Sequence, residues 1–191
     1  MGNMKMEEAK RQLSSLKREN KYETMIKTAG IITKMLEKDN IKPVIVGGLS
    51  VEIYTQSDYT TRDIDFVSDG FHIIENLLLS LDFLKEGRYF YRKDNEVVVE
   101  MPDSDLEGYI EKVIRVDIGN ELYVYLISLE DIIIDRLRAA IHWRSEEDAF
   151  WGFKLLATNF NFVDIPYIKS KFQAREEKKE FLKWLEQIKN D

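Results

Sequence analysis

The chain contains no cysteine. Disulfides, thiolate zinc sites and cysteine nucleophiles are excluded together, and a reducing compartment is the natural fit. Its two histidines, His72 and His142, are far apart in sequence, and neither has a partner at metal-ligand spacing. No apolar run approaches the roughly 20 residues of a membrane-spanning helix. Met1 to Asn20 is charged throughout and lacks the apolar stretch of a secretion signal. The expectation is a cytoplasmic protein without a membrane partner. A basic excess is missing too: 28 Lys and Arg against 35 Asp and Glu give a net charge of −7. A general nucleic-acid coat needs the opposite sign. An acidic chain can still hold a nucleotide where metal ions supply the local positive charge.

What is present suits a folded core. Hydrophobic residues make up 44% of the 191 positions. That is enough for one compact α/β domain, or for a core with a helical extension. Residues 4–19 are highly charged, with few apolar positions such as Leu13 and Leu16, and read as a marginal helix or a projecting arm. Asn20 with Glu23 forms a capping-box pattern ahead of the helical stripe Tyr22, Met25, Ile26, Ala29, Ile32 and Leu36. Val44 to Val46 is a short buried strand broken by Gly47-Gly48, and residues 49–56 suit a short helix. Arg62 to Val67 is a strand, 71–84 a buried helix, and two hairpins turn at Asp94-Asn95 and Gly119-Asn120. From Ser128 the period returns to helix, with Ser128 and Ser145 as caps of helices over 129–143 and 146–157. Asp164-Ile-Pro166 opens another helix, and 174–188 closes the chain with a Phe181, Trp184, Leu185, Ile188 stripe. The predicted class is α+β: a mixed sheet flanked by helices over residues 1–127, then a helical segment over 128–191. The stripe helices take Trp143 and Trp151 into the core. Asp131, Asp135, Arg138 and His142 line a solvated face, and His72 lies on the surface.

The chemistry lies in the middle. Asp63 and Asp65 are two apart on a strand, so both carboxylates leave one face, roughly 7 Å apart at the backbone. They repel unless a cation lies between them, and hard oxygen donors suit magnesium or manganese. Alone, Asp-x-Asp is more often the wet face of an edge strand, and Gly-Gly after a strand is more often a turn. Here both occur, 15 residues apart. A strand ending in Gly47-Gly48 and entering a helix presents bare backbone and N–H donors to a phosphate, with Ser50 adding a hydroxyl.

The run Val44-Ile-Val-Gly-Gly-Leu-Ser50, Tyr54, then Tyr59-Thr-Thr-Arg-Asp-Ile-Asp-Phe66 resembles the polymerase-β-type nucleotidyltransferase superfamily. In particular it is similar to the small bacterial and archaeal branch that includes antibiotic-modifying and toxin–antitoxin nucleotidyltransferases. Many relatives carry arginine four residues before the first aspartate of the pair. Tyr59 stands there in this chain. The resemblance implies a third carboxylate on a later strand. Glu100, ending Val97-Val-Val-Glu, is the preferred candidate and Asp117 the alternative. It also implies catalytic and metal roles for Asp63, Asp65 and the third acid, with two ions about 3.5–4 Å apart in such sites. Gly47, Gly48 and Ser50 would bind the nucleotide. Arg136, on the flank of the Leu129, Ile132, Ile133, Leu137, Ala140 stripe, either reaches phosphate or pairs with a carboxylate such as Asp135 or Glu100.

Two functions follow from the resemblance. One is a Mg²⁺- or Mn²⁺-dependent transferase moving an NMP from an NTP to a hydroxyl of a small molecule, an RNA end or a protein. The other is a catalytically inactive binding protein, for example a toxin–antitoxin component. The charged arm and the terminal helix offer surfaces for a homodimer or a cognate partner under either.

Overall fold

The computed structural model describes residues 4–17, 20–56 and 58–190. The last two residues of the expected arm, Arg18 and Glu19, lie outside them. The chain divides into two compact units, Met1–Ile127 and Ser128–Asp191.

In the first unit, helix α1 (Met6–Ser15) precedes α2 (Lys21–Leu36). The α1 segment does not project. Ala9 and Leu13, one turn apart, are fully buried. The Asn95 amide donates to the Leu13 carbonyl, and Lys10 pairs with Asp82 at 2.8 Å. The Asn20 cap is as expected: its side chain accepts from the Glu23 N–H at 3.1 Å and donates to the Glu23 carboxylate at 2.7 Å. Burial on α2 is wider than a single stripe and includes Thr24, Thr28 and Thr33, because α1, α4 and the sheet all pack on it.

Strand β1 (Val44–Val46) leads directly into α3 (Gly47–Tyr54), so the glycines are themselves the first turn of the helix. Then come β2 (Ile64–Val67), α4 (Phe71–Ser80), β3 (Leu84–Glu86), β4 (Tyr89–Arg92), β5 (Val97–Glu100), β6 (Ile114–Gly119) and β7 (Leu122–Leu126). They form one seven-stranded mixed sheet in the order β3-β4-β5-β2-β1-β7-β6. The central strand β1 runs antiparallel to β2 and parallel to β7, and β2 runs parallel to β5. The architecture is α+β, as the patterning predicts.

Alternation sorts the strand side chains into two layers. Ile45, Ile64, Phe66, Phe90, Val97, Val99, Val124 and Leu126 are buried in one core with Met25, Ala29, Ile32, Ile74 and Leu78 of the helices. The alternate positions, Val46, Asp65, Val98, Glu100, Tyr89 and Tyr91, leave the opposite face. That face carries the polar chemistry. At the edge, β3 has three exposed residues and no alternating apolar pattern, so nothing in its sequence announces a strand.

The second unit holds α5 (Leu129–His142), α6 (Glu146–Thr158), α7 (Ile165–Ser170) and α8 (Arg175–Asn190). Ser128, Ser145 and Asp164 cap the first three, accepting from the N–H of Asp131, Asp148 and Tyr167. Phe181, Trp184 and Leu185 are buried. Two expectations need correction. Trp143 is not core: it follows the last turn of α5 and is 80% exposed. The face with Asp131 and Arg138 is not solvated, because α7 and α8 pack on α5. Asp131 is buried and accepts from the hydroxyls of Ser128 and Tyr167 at 2.8 and 2.6 Å. Arg138 lies 3.4 Å from the buried carboxylate of Glu177.

Candidate functional site

The register of three strands assembles the carboxylates. Val46 of β1 pairs with Asp65 of β2, and Asp65 pairs with Glu100 of β5. Asp63 precedes β2 by one residue and shares the face of Asp65. Asp63, Asp65 and Glu100 each offer a carboxylate oxygen, and these oxygens lie within 4.8 Å of one another. Glu100 is buried, and the two aspartates are half-buried. Asp117 is elsewhere: it is exposed on β6, at the far edge of the sheet, and accepts from the Gly119 N–H at 2.8 Å.

The glycines meet the acids at the same sheet end. A Cβ on Gly47 would stand 2.2 Å from Oδ2 of Asp65, and one on Gly48 would stand 2.4 Å from Oγ1 of Thr61. Gly47 also has φ of +58°, in the left-handed region. Bare backbone at both positions is what lets the acidic strand close against the start of α3. The first turn of α3 has no side-chain cap from Val46, the residue that precedes it. Ser50 is fully buried, and its hydroxyl donates to the Gly47 carbonyl at 2.7 Å, which fixes the turn.

Three residues around the acids were not singled out by sequence. Thr61 donates from Oγ1 to Asp63 at 3.2 Å. The Thr61 N–H donates to Glu52 at 3.1 Å. Glu52 is buried on α3, and desolvation raises its pKa against the lowering effect of that hydrogen bond and of Lys21. Arg88, in the β3–β4 turn, places Nε 2.8 Å from Oε1 of Glu100. A signal existed for Glu52, an acid inside the apolar run Leu49-Ser-Val-Glu-Ile53. None existed for Arg88, whose contact is created by strand pairing. Beside the acids, a cavity of about 1040 Å³ is lined by Asp63, Arg88, Tyr89, Tyr91, Lys93 and Val98, among others.

Arg136 belongs to the second unit. There its guanidinium donates to Asp135 at 2.9 Å from Nε and to Asp148 at 2.7 Å. Tyr59, at the position where relatives of the resembled superfamily carry arginine, sets its ring edge 3.3 Å from where a Gly48 Cβ would be.

No helix among the described residues is long and apolar enough to cross a membrane. Comparison with known proteins gives a family and similar folds. No curated sequence matches the chain. Among solved structures, the antibiotic-resistance factor ANT(2″)-Ia in solution is similar in fold, with a TM-score of 0.52 at 15% identity over 78% of this chain and 91% of that one. The same factor in complex with adenylyl-2″-tobramycin gives a TM-score of 0.51 at 14% identity, over 80% and 94% of the two chains. An antigenic nucleotidyltransferase-like protein from Paracoccidioides brasiliensis gives 0.59 at 15% identity, over 90% of each chain. The pattern of one family, nucleotidyltransferase of unknown function (DUF6036), matches residues 10–179 and so takes in both the glycine turn and all three carboxylates; the chain belongs to that family.

Proposed function

We propose that the chain is a metal-dependent nucleotidyltransferase that moves an NMP from an NTP to a hydroxyl acceptor. The observation that carries this reading is the meeting of three carboxylates with an uncapped, glycine-built helix start. The acids fit a hard divalent cation. Their oxygens are close enough to repel strongly without one, and all three are carboxylates, the donor type of magnesium and manganese. Asp63, Asp65 and Glu100 would hold it. Bound there, such a cation supplies charge neutralisation at the phosphates and acidity to the acceptor hydroxyl.

The rest is the work of the chain. The Gly47 and Gly48 amides, at the positive end of α3, are placed to receive the outer phosphate oxygens. Ser50 serves them by holding the Gly47 carbonyl. Thr61 and Glu52 fix the loop that aims Asp63. Charge placement and orientation are the main demands of phosphoryl chemistry, so little else is required of the protein. The pairs of Arg136 with Asp135 and Asp148 favour a structural role, and we leave it out of the nucleotide site. The similar fold solved with adenylyl-2″-tobramycin supports a nucleotidyl product for this architecture.

The test is thermal melting with NTP and Mg²⁺ or Mn²⁺, followed by labelled-NTP transfer in a lysate. Binding to the native state should raise the melting temperature, and Asp63→Asn or Asp65→Asn should remove that increment. An unchanged increment in both variants would place the metal elsewhere. A shift without label transfer would leave a nucleotide-binding protein rather than an enzyme.

A further inference from the structure

Arg88 sits at the tip of the turn between β3 and β4. Its neighbour Gly87 has φ of +61°, and a Cβ there would meet nothing within 4 Å, so the tip is not packed in place. The Arg88 side chain is 66% exposed, whereas Glu100, which it reaches, is 9% exposed. The register explains the reach. Tyr89 pairs directly with Glu100 across β4 and β5, so the residue before Tyr89 arches over the acid. One guanidinium nitrogen also donates to the Tyr89 hydroxyl at 3.1 Å, and the group lies 5.2 Å from the Tyr89 ring centre. An exposed cation thus lies on the most buried acid of the cluster.

We propose that Arg88 is the resident cation of this site: a divalent metal displaces it from Glu100, and the freed guanidinium turns to the phosphates of the nucleotide. The inference rests on the reading of Asp63, Asp65 and Glu100 as a metal centre. Oε1 of Glu100 receives the Arg88 Nε–H, so the same oxygen cannot also serve a metal at full strength. The guanidinium end of this pair is solvated, so the pair holds by a factor of only about five, and three convergent carboxylates outcompete it. Arg88 lines the same cavity as Asp63 and Lys93. Its planar fork of donors matches a phosphate edge.

The experiment measures Mn²⁺ binding to the full chain without nucleotide, by electron paramagnetic resonance, for the native protein, Arg88→Gln, Arg88→Lys and Asp65→Asn. Arg88→Gln should bind Mn²⁺ roughly two- to fivefold tighter, the reach of an exposed ion pair. With Mn²⁺ saturating, the same variant should bind a non-hydrolysable NTP analogue about tenfold more weakly, through loss of a charge-assisted hydrogen bond. Arg88→Lys should fall between the two on both measures. Equal or weaker Mn²⁺ binding in Arg88→Gln, or unchanged analogue binding, overturns the proposal. Native binding that depends on Asp65 but ignores Arg88 sinks the inference alone. Native binding that ignores Asp65 removes the metal centre and the inference with it. Melting curves of each variant check that folding is intact.

Discussion

Substituting alanine at Gly47 separates what the glycine does for the backbone from what it does for the site. Gly47 and Gly87 have nearly the same left-handed φ, +58° and +61°. A Cβ at either position costs about 1–2 kcal/mol of backbone strain, offset by roughly 0.4–1 kcal/mol through the unfolded chain. At Gly87 nothing else happens, because no atom lies within 4 Å of the added carbon. At Gly47 that carbon lands 2.2 Å from Oδ2 and 3.1 Å from Cγ of Asp65, so the carboxylate has to rotate away. Forcing a side chain off its rotamer adds about 0.5–1.5 kcal/mol. Gly47→Ala should therefore lose roughly twice the stability that Gly87→Ala loses. For a chain of this length each kcal/mol is about 2–4 °C in melting temperature. The larger consequence concerns the ligand set. A displaced Asp65 no longer converges with Asp63 and Glu100, and Mn²⁺ affinity should drop about ten- to hundredfold, as for lost orienting contacts in metal sites. Denaturant titration of both variants, with Mn²⁺ binding on Gly47→Ala, makes the comparison. Equal stability losses together with native Mn²⁺ affinity in Gly47→Ala would refute the close-approach argument.

Arg136→Ala should lower the melting temperature, by roughly 1–3 kcal/mol of stability, because Asp135 and Asp148 lose a partly buried partner. NTP affinity should not change, and a selective loss of nucleotide binding would return Arg136 to the site. Glu52 has a raised pKa in the folded state, first through desolvation, so the fold favours its protonated form. Its stabilising share is complete below the unfolded pKa and is lost as pH rises through the folded one. Glu52→Gln, which can still accept from the Thr61 N–H, should match the native protein at low pH and melt at higher temperature near neutrality. A native advantage that grows with pH would contradict the desolvation argument.

Sequence revealed what is decided locally. The caps at Asn20, Ser128 and Ser145 are short-range hydrogen bonds, and each is present in the structure. The hairpin over Asp94-Asn95 and the strand–helix junction at Gly47 are likewise set by a few adjacent residues. Glu100 ends an apolar run, which favours it over Asp117, and it pairs with Asp65 across β2 and β5. The misses are products of packing between distant segments. Burial of α1 depends on Asn95, Asp82 and Arg92, which lie some 70–80 residues further on. The face of α5 that holds Asp131 looks wet until α7 and α8 cover it. Arg88 becomes a partner of Glu100 only after β4 and β5 have zipped.

That zipping has a consequence for how the gene can change. Ile64 stands opposite Val99, and Asp65 opposite Glu100. A single-residue insertion within β5 would invert its faces, drive the Glu100 charge toward Phe66 and Phe90, and turn Val99 to the acids. Burying that charge unpaired is severe enough to unfold the unit. Two inserted residues would restore the alternation and let the sheet form, but would move the acid by roughly 7 Å along the strand. Odd length changes here therefore remove the protein, whereas even ones leave a folded scaffold without its third carboxylate. The ligand set thus acts as a proofreader of strand pairing, since a misaligned sheet has nowhere to put its charge.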